Sequence, residues 1–237
     1  MELLEAKDIV LPGENDKFSF ERDTFKFTVG ILGALLPVIL GAVLWIDKGV
    51  FEPLDSISHY FYTRAGSVFV LVLGLLAFFL IIYKDYEPAD FWVSSAAGLA
   101  ALIVVFFPTG NINSDANLLC RNCSITSLPE FSWRIKLHYI SAAVFLSLLA
   151  YMSMFLFTKT HENGRMSDKK KIRNTIYRIC ALIIVLAMIT AGLSYNSLVI
   201  HETYADKINL VFWMEVVALE AFAVSWFTKA ELIFGDK

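Results

Sequence analysis

Charged residues are scarce in this chain. They make up 18% of its 237 residues, against roughly 25% in a soluble domain. With hydrophobic residues at 57% and a mean hydropathy of +0.61, this excludes a disordered chain, a collagen-like chain and a typical soluble enzyme. A basic surplus is missing too. The net charge is −3, so nucleic acid is not an expected partner. There is no G-x-G-x-x-G, no G-x-x-x-x-G-K-[ST], no G-x-S-x-G and no kinase signature. There is also no low-complexity tract, long linker or solenoid repeat.

What the chain has instead is long apolar runs. A bilayer core about 30 Å thick takes roughly 20 apolar residues per helix. Six stretches approach that length: 27–46, 65–83, 91–107, 135–157, 175–193 and 208–227. They do not alternate apolar with polar residues, so a transmembrane barrel is not expected. The expectation is an all-α, multi-pass membrane bundle of six spans. Residues 1–26 precede the membrane domain (27–227), and 228–237 follow it. The first 26 residues are rich in acid and lack a basic region ahead of a short apolar core, so no secretory leader is expected.

Of the 20 basic residues, 14 fall on the side holding both ends and the loops after the second and fourth runs. By the positive-inside rule that side is cytoplasmic. The cluster Lys169-Lys170-Lys171-Ile172-Arg173 suits this orientation and contact with anionic headgroups. The short 84–90 connection makes the second and third helices antiparallel neighbours. Ser94, Gly98 and Ala101 share one face of the third helix, and Gly30 and Ala34 one face of the first, spacings that let helices approach closely. Pro37 predicts a kink or a local cavity. The 108–133 segment is long enough to fold over the outer face.

Polar groups near a membrane need partners. His161 lies in the basic inner loop. His59, His138 and His201 all fall on the outer side, from three inter-span regions. His138 sits about 5 Å, and Glu215 about 10 Å, down their helices from that side. With Ser56 and Asp55 nearby, these residues suggest an outward-facing pocket for a small ligand or lipid. His59, His138 and His201 could also hold zinc, with Glu215 or Asp55 as general base in a hydrolase acting on a lipid or amphiphile. No H-x-x-x-H or H-E-x-x-H spacing is present to fix that choice. Asp55 or Ser56 could instead cap a second helix that begins near Ile57. Glu215 could pair with His138 or Arg178. Glu220 could serve an ion path or hydrogen-bond a neighbouring helix.

Cys120 and Cys123 form a C-x-x-C in the outer segment. A local disulfide is the default there, with thiol redox chemistry the alternative. Cys180 reads as a packed small residue.

The run Ser56-Ile57-Ser58-His59-Tyr60-Phe61, the Phe107-Pro108-Thr109 ending of the third span and the Leu137-His138-Tyr139-Ile140-Ser141-Ala142 opening of the fourth resemble domain-of-unknown-function family 998. That resemblance implies a six-helix protein of a bacterial inner membrane, with no established activity. Ser56 and His59 are also similar to part of the ceramidase and adiponectin-receptor pattern, which implies zinc. The paired histidines of that superfamily's last helix are missing here, and six spans replace seven.

Overall fold

The computed structural model describes residues 14–49, 53–85, 87–112, 123–159, 167–195 and 208–234. Among these the chain forms six α-helices and no strand. They are α1 (Glu14–Lys48), α2 (Gly66–Ile82), α3 (Pro88–Phe106), α4 (Ser132–Tyr151), α5 (Asp168–Tyr195) and α6 (Leu210–Lys229). A 3-10 turn, Ile57–Tyr62, precedes α2, and α4 runs on into a π turn, Met152–Leu156.

Five helical stretches are long and apolar enough to cross a membrane: Asp23–Lys48, Pro88–Phe106, Ser132–Leu156, Asp168–Ser194 and Leu210–Lys229. The second apolar run forms a shorter helix of 17 residues. Several helices extend beyond the apolar runs because a polar first turn can be helical without facing lipid. The start of α3 is written locally. Pro88 occupies the first helical turn, and the Asp90 carboxylate reaches back to the Glu87 N–H at 3.0 Å, closing a capping box.

Each helix packs on the next, and α6 returns to α1, so the six close into a ring. Consecutive helices run antiparallel. Ser95 Oγ donates to the Ile81 carbonyl and Ser94 Oγ to that of Tyr83, while Gly98 faces Ala77. A Cβ on Gly98 would sit 2.5 Å from the Ala77 carbonyl oxygen. This is the close approach expected of a small-residue face. On α1 the close positions are Gly30 and Gly33, against the Phe227 and Phe222 rings of α6; Ala34 is only half-buried.

Leu71, Phe78, Leu99, Phe106, Ile140 and Leu186 are each more than half exposed on the outside of the ring. Such a surface suits lipid rather than water. Inside, Tyr83, Phe157, Tyr177, Phe222 and Trp226 interlock edge to face near one end. Aromatic pairs of this kind add about 0.5–1.5 kcal/mol each beyond area burial.

That end also gathers charge. Lys229 meets Asp85 at 2.6 Å, both nearly enclosed, and Tyr83 donates its hydroxyl proton to the same carboxylate at 3.0 Å. Lys159 contacts Glu87 and lies 4.0 Å from Asp90. Burial alone would push Asp85 up, but Lys229, Lys26 and the Tyr83 hydroxyl together hold it below the usual range. The opposite end carries the 3-10 turn.

Candidate functional site

The turn end is built from the link between α1 and α2. Leu54, Ile57, Tyr60 and Tyr62 are almost fully buried, which draws this link into the mouth of the ring. A 3-10 turn has free N–H groups at its start. Here the Ile57 N–H donates to Glu215 Oε2 of α6 at 2.6 Å. Two more bonds fix the same stretch to α6. The Phe212 N–H donates to the Asp55 carbonyl at 3.1 Å, and Asn209 Nδ2 donates to the Pro53 carbonyl at 3.0 Å.

The capping expectation is therefore corrected. Neither Asp55 nor Ser56 caps a long helix; α2 begins only at Gly66, and Ser56 makes no side-chain cap bond to the 3-10 turn. A carboxylate from the other end of the sequence occupies the capping position. Glu215 likewise does not pair with Arg178, which is exposed on α5. Glu220 makes no hydrogen bond among the described residues and is half-buried.

Ser56 Oγ lies 2.8 Å from His59 Nδ1. Burial lowers the His59 pKa, against the pull of Asp55 in the other direction, so His59 is neutral at pH 7. His138 is 2% exposed, and its Nδ1 lies 2.8 Å from the Phe107 carbonyl. A carbonyl can only accept, so Nδ1 carries the proton. In the neutral ring the lone pair is then on Nε2. His59 and His138 lie within electrostatic reach of each other. His59, His138, Ser56 and Glu215 thus belong to one end and to three neighbouring elements. His201 lies outside the described residues.

The described arms of the outer segment, 108–112 and 123–131, are tied to this end. The Ile125 N–H donates to the Tyr62 carbonyl at 2.8 Å. Asn111 clasps the two arms of the segment, with its side chain bonded to Leu128 in both directions and its N–H to Glu130. The Tyr62 hydroxyl donates to the Thr109 carbonyl at 2.5 Å, and Thr109 Oγ1 to the Tyr139 hydroxyl at 3.2 Å. Burial raises the pKa of Tyr62 and pushes that of Tyr60 up to about 12. Both phenols stay protonated and serve as hydrogen-bonding groups.

Cys123 is disulfide-bonded and buried, whereas Cys180 is a free buried thiol. Cys120 lies outside the described residues. Among the described residues no group of three His, Cys, Asp or Glu side chains could hold a metal ion. His59 and His138 have no third ligand among them, and Glu215 is committed to a backbone N–H.

Two features escaped the sequence reading. One is the Asp85–Lys229 pair, whose partners are 144 positions apart. The other is Arg134, counted there only as one basic residue among those that orient the chain. Its side chain is 93% buried. The signal present was an arginine inside the first turn of a membrane helix, where burial is costly.

Comparison with family models, curated proteins and solved structures finds no match to this chain.

Proposed function

We propose that this is a six-span membrane protein that binds a small molecule or lipid at its turn end, in a polar pocket lined by Ser56, His59, His138 and Glu215. The observation that carries the reading is the Glu215–Ile57 bond. It joins the polar α1–α2 link to α6, and His59 of that link lies within electrostatic reach of His138 of α4, in a chain that is otherwise short of polarity. His201 belongs to the same proposal by its position in the sequence. In this reading α2 is the sixth span, both termini are cytoplasmic, and the pocket opens outward. The 14 basic residues on the other side support that orientation. The resemblance to family 998 adds a bacterial inner membrane as the location.

Purified protein in detergent, measured by native mass spectrometry, tests the pocket. A co-purifying small molecule or lipid, lost in a His59→Ala/His138→Ala variant that keeps its size-exclusion profile, is the expected result. An identical adduct pattern in both proteins would remove the proposal. A phosphatase and fluorescent-protein reporter pair on the C-terminus tests the orientation, with fluorescence but no phosphatase activity expected.

A further inference from the structure

Arg134 is the residue at the turn end whose chemistry is left incomplete. It sits in the first turn of α4, 7% exposed, and Nε, Nη1 and Nη2 are all buried with no ion-pair partner among the described residues and only the Tyr62 phenol in range. An enclosed cation with no counter-anion is strongly disfavoured. Buried charges persist in proteins where something pairs with them. The candidates nearby are already engaged. The Tyr62 hydroxyl gives its proton to the Thr109 carbonyl and can accept from Arg134 through its oxygen, but a protonated phenol carries no countercharge. Glu130 is exposed, is turned to the Asn111 N–H through Oε1 at 2.8 Å, and makes no ion pair with Arg134. His138 is within reach but cannot neutralise a cation, and its Nδ1 proton faces Phe107.

We propose that the Arg134 guanidinium is a phosphate-binding site, taking a phosphate group from an anionic lipid headgroup or free phosphate. A planar guanidinium with no carboxylate in ion-pair contact among the described residues offers two parallel donors to such an oxyanion. The first turn of a 20-residue helix adds the favourable end of the helix dipole. The surroundings fit the headgroup source. Phe131 and Trp133, just ahead of Arg134 in the chain, are exposed at 54% and 60%, and Ile140 one to two turns along is exposed at 62%. Aromatic residues at the end of an apolar helix mark the interfacial layer, where lipid phosphates lie. This inference deepens the proposed pocket by naming the group through which its ligand is held, and it rests on reading this end as ligand-binding.

The test uses the full chain in detergent with two probes, phosphatidylglycerol and inorganic phosphate, and phosphatidylcholine as a control. Thermal unfolding and native mass spectrometry are read for wild type, Arg134→Gln, Arg134→Lys and His138→Ala. Wild type is expected to bind at least one phosphate probe. Arg134→Gln should weaken it about tenfold or more, the loss of a charge-assisted pair, and Arg134→Lys should restore part of it. Stabilisation by phosphatidylglycerol alone assigns the headgroup; stabilisation by inorganic phosphate assigns a free anion. No response to either probe in wild type, or equal binding by wild type and Arg134→Gln, overturns the inference. Loss of binding in His138→Ala but not in Arg134→Gln leaves the pocket standing and removes the phosphate site. The converse keeps the phosphate site and removes the histidine pocket. Should Arg134→Gln fail to fold, an experimental map of wild type decides the matter: phosphate density at the guanidinium supports it, and ordered water alone overturns it.

Discussion

Glu215 of the last helix accepts the backbone N–H of Ile57 at 2.6 Å, across 158 positions of sequence. One carboxylate oxygen ends a free donor of the 3-10 turn, and the turn in turn carries His59.

Replacing Glu215 separates hydrogen bonding from charge. Glu215→Gln keeps an acceptor for Ile57 and should change stability little. Glu215→Ala leaves a buried N–H unpaired and should cost about 1–3 kcal/mol. Thermal unfolding in detergent measures both, and hydrogen exchange at residues 53–63 should rise only in the alanine variant.

At the other end, the Asp85–Lys229 pair is nearly enclosed. Lys229→Met should destabilise by about 3–5 kcal/mol because it leaves a buried carboxylate without its cation. Asp85→Leu combined with Lys229→Met should recover most of that loss. A double variant no better than the single would show that the pair does not act as a unit.

The pH dependence at Asp85 has a definite sign. Its pKa is held down in the folded state, so the native protein releases this proton more readily than the unfolded chain. The stabilisation is present above the ordinary aspartate value of about 3.9 and is lost as pH falls through the lower folded value. Acid unfolding of wild type should therefore be steeper below about pH 4 than that of Asp85→Asn.

His59 acts in a higher window. Its folded pKa is also depressed, here by burial, so the unfolded chain takes up this proton first. Stability should begin to fall as pH drops below about 6.5, the ordinary imidazole value. His59→Gln should flatten that slope; an unchanged profile would show that His59 does not contribute to it.

Two glycines give a paired test of helix contact. Gly98→Ala puts a methyl group 2.5 Å from the Ala77 carbonyl oxygen and 2.7 Å from Ile81, whereas Gly74 has nothing within 4 Å of an added Cβ. Gly98→Ala should cost about 1–3 kcal/mol by forcing α2 and α3 apart. Gly74→Ala should be neutral or slightly stabilising.

The helices were legible in the sequence because lipid demands them: an apolar run of that length has few other forms. Gly98 could be read as a contact for a related reason, since a bare backbone on an apolar face serves close approach. The turn end was harder. Asp55 and Ser56 carry a capping signature, but whether a helix starts after them depends on what their neighbours bury. Leu54, Ile57, Tyr60 and Tyr62 sink into the ring, and the link tightens into a 3-10 turn instead. Glu215 could be marked as unusual, yet nothing local pointed to a backbone N–H as its partner. Arg134 was hidden for a different reason. A basic residue at a helix end is what topology requires, and only its burial in the folded chain makes it costly.

Ring closure between α1 and α6 also sets an order of assembly. The ribosome finishes α1 and the Ile57 turn long before it makes Glu215. Until the final helix enters, the mouth of the ring lacks one wall and the turn lacks its acceptor. Both ends of the ring thus wait on the final helix, which brings Glu215 to the turn end and Lys229 to the other, and a chain stopped before residue 208 would lack both.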